Sequence, residues 1–244
     1  MTKKSILFVS AIVLITLSGC STSSNQGKKA DTDPNFNANQ SATNVALSTT
    51  SSSISSTSFT PSRTETNRKN YVQPSQLFHP GEFTYDQVGT RQQLLKMRTK
   101  HHKIQSGPLS YTITRVRVIK NHAVNQPALN YAEQQFNAKP LARTYYTVQL
   151  SFLVQNHSSQ DLVLGGVKQL KLSNGVTLAP NQQLSDRSAG RIIRSHKSLT
   201  TSALGLLGSQ TNPKITSATI RFNPAFHHQR ASTPKSNLLK LKIQ

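Results

Sequence analysis

Acidic residues, cysteine and tryptophan are scarce or missing in this sequence. Asp and Glu together number 8 in 244 residues against 29 Lys and Arg, so the formal net charge is +21. Cys20 is the only cysteine, which excludes a disulfide within the chain. No two acids lie at a spacing useful for a site built from paired carboxylates. Beyond residue 70 we expect each acid to serve as a cap, a turn residue or a local ion pair: Glu82, Asp86, Glu133, Asp161 and Asp186.

The motifs of common enzyme classes are missing as well. The sequence contains no Gly-x-Ser-x-Gly elbow, no His-Glu-x-x-His and no Gly-rich phosphate loop. A serine hydrolase assembled from distant residues, such as a Ser with His196 and Asp186, is an alternative that no spacing favours. His101-His102 invites a metal site, but adjacent strand residues point to opposite faces and no Cys or acid lies near. We therefore expect neither catalysis nor a bound metal.

The N-terminus has the organisation of an export signal. Lys3 and Lys4 precede an apolar run from Ile6 to Leu17. The run has about 12 residues, which suits a signal peptide and is short for a membrane span of about 20. The residues that end it are Leu17-Ser18-Gly19-Cys20. These four residues resemble the lipobox of bacterial lipoproteins.

The lipobox resemblance implies export from the cell and a lipid anchor in the membrane. Residues 1–19 would be a signal peptide that is cut immediately before Cys20, and the Cys20 thiol would carry diacylglycerol. The protein would then sit on the outer face of the cell membrane, extracellular and anchored in the lipid bilayer, with no other cofactor. The alternative is a buried structural cysteine at the end of an uncleaved apolar helix.

A tether and an extension precede the main β region. Residues 20–70 are predicted to be a disordered tether, because the nearly continuous Ser and Thr of 41–62 leave too few apolar residues to order the chain. Residues 71–106 are assigned to an N-terminal extension of the domain. Within it His79-Pro80-Gly81 indicates a turn and Glu82–Tyr85 a short strand, while Gln92–Met97 is compatible with helix or strand.

From residue 107 onward apolar residues alternate with polar ones, as is typical of half-buried strands. Leu109 to Ile113 and Val116 to Val118 follow opposite parities, which predicts a bulge near Thr114 or Arg115. Tyr146 to Val154 is the clearest strand, and Asn174-Gly175 indicates a hairpin. A long connection over 121–142 is predicted to hold a helical turn at 131–136. Further strands are expected at 162–164, 167–172, 176–178, 191–194, 202–207, 216–222 and 239–243.

Seven to nine short strands separated by turns predict an all-β domain over residues 107–244, an antiparallel β-sandwich. The stretch from Tyr146 to Ser159, the Asn174-Gly175 turn and the strand at Ile215–Phe222 resemble an immunoglobulin-like domain found in Gram-positive surface lipoproteins of unknown function. That resemblance implies a binding or assembly module at the cell envelope, with no catalytic residues to carry over.

Clusters of Lys and Arg are the feature of the sequence that most strongly indicates a binding partner. The candidate polyanion-binding residues form three runs: Arg91, Lys96, Arg98, Lys100 and Lys103; Arg115 and Arg117; and Arg187, Arg191, Arg194 and Lys197. We expect contact with anionic wall polymers or lipid headgroups, or with envelope proteins. Nucleic acid is not expected, because no nucleic-acid fold motif or set of stacking aromatics accompanies the charge. The alternatives are binding of extracellular DNA, an enzyme or enzyme accessory acting on the cell wall, and a basic charge that serves no specific partner.

Overall fold

A computed structural model describes residues 58–99, 101–180, 182–208, 213–228 and 230–243. The predicted signal peptide, the lipobox with Cys20 and most of the predicted tether lie outside the described residues, as does Lys100.

The described residues form an all-β fold with little helix. The first eight strands are β1 (Phe83–Tyr85), β2 (Thr90–Arg98), β3 (His102–Ser106), β4 (Leu109–Ala123), β5 (Thr144–Asn156), β6 (Leu162–Val163), β7 (Val167–Leu172) and β8 (Thr177–Pro180). The remaining strands are β9 (Gln183–Asp186), β10 (Ile192–Ile193), β11 (Ser198–Gly208), β12 (Ser217–Phe222), β13 (Phe226–His227), β14 (Arg230–Ala231) and β15 (Leu239–Lys242). The helices are α1 (Arg63–Thr66), α2 (Gln126–Phe136) and a 3-10 turn, Pro74–Gln76.

The strands form one large mixed sheet and one small sheet. The large sheet has the order β1-β2-β4-β5-β11-β9-β8-β7-β12-β15, with β3 also paired to β4. Every recorded strand pair in it is antiparallel except β8 with β9. The small sheet has the order β10-β6-β13-β14.

The predicted bulge in β4 is confirmed. Ile113 pairs with Phe152 and Arg115 pairs with Ser151, so Thr114 is the extra residue of β4. An extra residue reverses the parity of the strand, which brings the apolar residues before and after it onto one face. Both sets of apolar residues therefore enter one core: Leu109, Tyr111, Ile113, Val116 and Val118.

Two parts of the large sheet enclose this core, as in a β-sandwich. The Tyr111 ring of β4 stacks on the Phe222 ring of β12 with centroids 3.9 Å apart. Phe152 of β5 meets Phe222 edge-on at 5.2 Å. The sheet must curl for these contacts to form, since β12 lies five positions away from β5 along the sheet.

The opposite face of β2, β4, β5 and β11 is covered by helix and loop. Ala132 and Phe136 of α2 pack with Tyr145 of β5. Leu77, which follows the 3-10 turn, packs with Leu94 of β2 in a further cluster. Polar residues on this face of β5 are therefore buried instead of facing solvent.

The helical turn predicted at 131–136 is a helix of three turns, α2. The Asn125 side chain caps its start by accepting a hydrogen bond from the Ala128 amide at 2.8 Å. Asn137 ends the helix in the left-handed conformation, with φ of 47°. Only small or widely spaced apolar residues face the sheet, namely Ala128, Ala132 and Phe136, so the apolar periodicity is weak.

The N-terminal part of the described chain also belongs to the large sheet. The region 92–97, open between helix and strand in the sequence, lies within β2, and β2 pairs with β4. Phe59 lies 5.5 Å from Tyr85, measured between ring centroids, and the Tyr85 hydroxyl donates to Glu65 Oε2 at 2.7 Å. The predicted end of the tether at residue 70 therefore falls after the first contacts with the sheet.

Candidate functional site

The structure separates the predicted basic residues. Arg117 is only 4% exposed, so it cannot contact a polymer at the surface, and its place in the predicted set is corrected. The Arg115 guanidinium lies 5.2 Å from the ring centroid of Phe78, which covers it in part. Lys96 and Arg98 on β2 are half-buried, and Lys103 on β3 is exposed. The first two runs therefore do not form one surface.

Arg91 lines an open cleft beside β1. Arg68 and Lys69 lie in the same cleft, which has a volume of about 350 Å³. The Arg91 guanidinium is 3.9 Å above the ring centroid of Phe83, which fixes its position. One carboxylate reduces the positive charge, because Arg68 Nε pairs with Glu65 at 3.0 Å.

The third run surrounds the small sheet. Arg191, Arg194 and Lys197 flank β10 and are exposed, whereas Arg187 is half-buried. Burial lowers the pKa of Arg187, with the nearby Arg191 acting in the same direction. In β13 and β14, His227 pairs with Arg230, so the small sheet adds Arg230, a cation that the sequence runs do not include.

A larger basic surface lies elsewhere, on the outer side of β7, β12 and β15. Lys171 pairs with Thr219, and Thr219 pairs with Lys240, so the three side chains form a row across the strands. Neighbouring strands are about 4.8 Å apart, which puts the two lysines about 10 Å from each other. Their neighbours Leu170 and Leu241 point into the core instead. We call this surface the cationic face: Lys168, Lys171, Arg221, Lys235, Lys240 and Lys242.

Like charges on the cationic face are close enough to affect each other. Lys235 lowers the pKa of Lys168 through charge repulsion, and Arg221 acts in the same direction. No acid neutralises this face among the described residues, where the only ion pairs recorded are Arg68–Glu65 and His79–Glu82. Asp186 is the last acidic residue of the whole sequence. Within the described part of the chain, the cationic face is therefore a surface of unneutralised charge.

The acids are occupied with local structure, as the sequence predicted. Glu82 accepts from the Phe78 and His79 amides at 2.8 and 2.7 Å and pairs with the His79 ring. Asp161 accepts from the Ser195 amide at 2.8 Å, and Glu133 from the Leu141 amide at 3.1 Å. Asp86 Oδ1 accepts from the Val88 and Thr90 amides at 3.1 and 2.7 Å.

The Asp186 carboxylate stabilises a loop, and a histidine is not among the partners recorded for it in the described residues. Its carboxylate accepts hydrogen bonds from the Val167 amide and from the amide and hydroxyl of Ser188. His196, its partner in the serine-hydrolase alternative, is exposed in a left-handed conformation with φ of 54°. No hydrogen bond between Asp186 and His196 is recorded among the described residues.

A small polar pocket lies between α2 and the sheet. Tyr131 and Gln135 of α2 line it on one side, and Asn121, Thr147 and Gln149 of the sheet on the other. Its volume of about 30 Å³ is room for about two water molecules. Gln149 is 1% exposed, and neither its Oε1 nor its Nε2 has a hydrogen-bond partner. We call this cavity the α2 pocket.

Metal and membrane sites are not found among the described residues. No three His, Cys, Asp or Glu side chains in the described ranges come together in a way that would hold a metal ion. In the same ranges, no helix has the length and apolar character needed to cross a bilayer.

Comparisons with protein families, with characterised proteins and with solved structures give no match to this chain. What the protein binds is therefore inferred from its own geometry and charge.

The cationic face was missed at the level of sequence because its residues are not consecutive. Lys240 and Lys242 alternate with apolar residues, which indicates that they share one side of a strand. Their neighbours from β7 and β12 are about 70 and 20 residues earlier in the chain, and only the strand register brings them together. The one available signal was the lack of any acid after Asp186.

Proposed function

We propose that this protein is a lipid-anchored, extracellular binding or assembly module that holds anionic polymers or lipid headgroups at the cell envelope. The observation that carries the proposal is the cationic face, where the register of three strands places Lys171, Arg221, Lys240 and Lys242 together and Lys168 and Lys235 lie beside them. Cys20 would supply the anchor to the membrane through its diacylglycerol.

The chemistry of the cationic face favours an extended, flexible polyanion. Its charges lie on a β surface with no enclosing walls, so they attract anionic groups by long-range electrostatics instead of by shape. Near an anionic surface each Lys or Arg contributes about 1 kcal/mol, and four or five on one side suffice for detectable association. The outer cleft of Arg68, Lys69 and Arg91 provides a further contact for the same kind of partner.

We also propose that the architecture is immunoglobulin-like. The facing parts of the large sheet, joined through Tyr111 and Phe222, support a sandwich in which strands provide the scaffold. In such a scaffold the binding groups lie on the outer faces and loops.

Protection of an exposed sheet edge is the competing explanation for part of the charge. Lysines on an edge strand prevent pairing with another chain, and β15 is the last strand of the large sheet. That explanation accounts for Lys240 and Lys242. It does not account for Lys171 and Arg221, which lie on inner strands of the sheet.

Sedimentation with vesicles tests the proposed function. The soluble chain from residue 21 onward is mixed with vesicles of an anionic phospholipid or of a neutral one, at two pH values and two salt concentrations. We expect binding only to the anionic vesicles, and weaker binding at high salt because the Debye length falls from about 10 Å at 0.1 M to about 3 Å at 1 M. Binding should strengthen near pH 5.5, because histidines with reference pKa values of about 6.5 add positive charge. Equal binding to neutral vesicles, or none lost at high salt, would contradict the proposal.

A further inference from the structure

The α2 pocket contains a polar group with no partner. Gln149 lies at the centre of β5, where its neighbours across the sheet are Arg117 of β4 and Leu204 of β11. Both polar atoms of its amide are buried and unpaired. About 90% or more of buried polar groups in proteins have a hydrogen-bond partner, so an amide with neither of its groups paired indicates a partner that is not part of the chain.

Asn121 and Thr147, two polar neighbours of Gln149 in the pocket, are hydrogen-bonded to each other. Asn121 Nδ2 donates to Thr147 Oγ1 at 3.0 Å and to the Ile119 carbonyl at 3.4 Å. Asp86, on another wall, accepts from the Val88 and Thr90 amides through Oδ1. Of these groups, Gln149 is therefore the one whose hydrogen-bonding capacity is free for a ligand.

The groups around Gln149 specify the shape and charge of what enters. A carboxamide offers an acceptor oxygen beside a donor nitrogen in one plane, and its exact complement is another amide. The Asp86 carboxylate on the wall repels an anion, and the buried Arg117, which pairs with Gln149 across the sheet, repels a cation. Burial raises the pKa of both Asp86 and Tyr131, which agrees with a poorly hydrated site that favours a neutral guest. The volume, room for about two water molecules, matches the two polar atoms of one amide group.

We propose that the α2 pocket binds a neutral amide group of a small ligand, of the acetamido type, through two hydrogen bonds to Gln149. The amide N–H of the ligand donates to Gln149 Oε1, and Gln149 Nε2 donates to the carbonyl of the ligand. Tyr131 and Gln135 of α2 lie on the opposite wall of the pocket. This site is distinct from the cationic face and takes a ligand of different chemistry.

An NMR titration with acetamide tests the proposal on the full chain in detergent micelles. We expect acetamide to shift the assigned side-chain amide resonances of Gln149 in a saturable way. Acetate has the same shape and a negative charge, and we expect it to bind at least about tenfold more weakly. Shifts that do not saturate, or equal binding of acetate, would overturn the proposal, as would two bound waters that acetamide does not displace.

Three variants locate the site. Gln149→Met keeps the length of the side chain and removes its amide, so the dissociation constant read from the Thr147 backbone amide should rise by about tenfold or more, the effect of losing two hydrogen bonds. Leu204→Phe fills the pocket from β11 and should have the same effect, which keeps the test decisive where Gln149→Met fails to fold. Gln134→Met makes the same chemical change on an exposed position of α2 and should leave binding unchanged. Undiminished binding by Gln149→Met and Leu204→Phe would overturn the proposal.

Discussion

Asp86 illustrates how a scarce acid is used at the scale of single residues. Its Oδ1 accepts two backbone hydrogen bonds that shape the turn between β1 and β2. Burial raises the pKa of Asp86, and the hydrogen bonds from Thr90 and Val88 oppose that effect only in part. The Asp86 carboxylate therefore stabilises the turn, but its removal from water opposes part of that stabilisation.

Replacement of Asp86 by Asn is expected to change how stability depends on pH. Because the pKa of Asp86 is raised in the folded protein, the folded state keeps a proton that the unfolded state, with a pKa of about 3.9, has already lost. The contribution of Asp86 to the free energy of unfolding is thus fully present below pH 3.9 or so and is lost as pH rises through the folded-state pKa. Asn keeps the oxygen that accepts both hydrogen bonds and does not titrate.

Urea denaturation at a series of pH values measures this effect. The free energy of unfolding of the natural chain, minus that of Asp86→Asn, should fall as pH rises from about 4. A difference that grows with pH would show that the folded-state pKa is lowered.

Single residues also show what the sequence alone could not predict. Thr147 and Gln149 alternate with core residues of β5, and alternation by itself assigns them to the solvent side. They are 2% and 1% exposed, because α2 and the segment before β1 cover that face. Arg117, which was assigned to a binding surface because it lies in a basic run, is buried as well. Periodicity reports which residues share a face, but it does not report what lies on top of that face.

At the scale of elements, local patterns predicted the strands that have strong alternation or a diagnostic turn. The central strand β5, the bulge at Thr114 and the hairpin at Asn174-Gly175 were all predictable, since each depends on neighbouring residues only. The strand β9 lies between two predicted strands where none was expected, because it has one buried apolar residue, Leu184. Long-range pairing, such as that of β2 with β4, has no local signal.

Gly205 in the middle of β11 is explained by packing between elements. A Cβ atom at this position would lie 2.5 Å from Leu178 Cδ1 of β8 and 3.2 Å from Val148 Cγ1 of β5. The glycine therefore makes room for two core side chains from other strands.

Gly205→Ala is expected to lower the free energy of unfolding by about 1 to 3 kcal/mol, the usual cost of overpacking. Thermal or urea denaturation measures the loss. Leu178→Val removes the nearest atom, so the double variant should lose at least about 0.5 kcal/mol less than the sum of the two single variants. Simple additivity of the two losses would contradict the packing explanation.

At the scale of the whole molecule, charge is distributed very unevenly. Five of the six described acids accept hydrogen bonds from backbone amides, Glu65 pairs with Tyr85 and Arg68, and no acid follows Asp186. The cationic face draws on residues from β7, β12 and β15, and sequence runs of Lys and Arg therefore pointed to other parts of the surface. The net charge was predictable from composition, but its concentration on one face was not.

The lipobox makes a separate prediction for the whole protein. Cys20→Ala removes the thiol that would carry diacylglycerol, so the variant should fail to be processed and anchored. Cell fractionation with mass spectrometry of the product measures this, and Ser21→Ala serves as a control that keeps the thiol. A Cys20→Ala protein of processed mass that stays firmly in the membrane fraction would contradict the lipid anchor.

The cationic face is tested most directly by comparing two variants that lose the same charge. In one variant Lys171, Lys240 and Lys242 of the face become Gln, and in the other Arg63, Lys139 and Arg143, which are exposed elsewhere, become Gln. Affinity for anionic vesicles is then measured at low salt by sedimentation. At about 1 kcal/mol for each charge near the surface, the face variant should bind about 100-fold more weakly and the control less than about fivefold. An equal loss in the two variants would contradict a localised binding face and leave only the net charge.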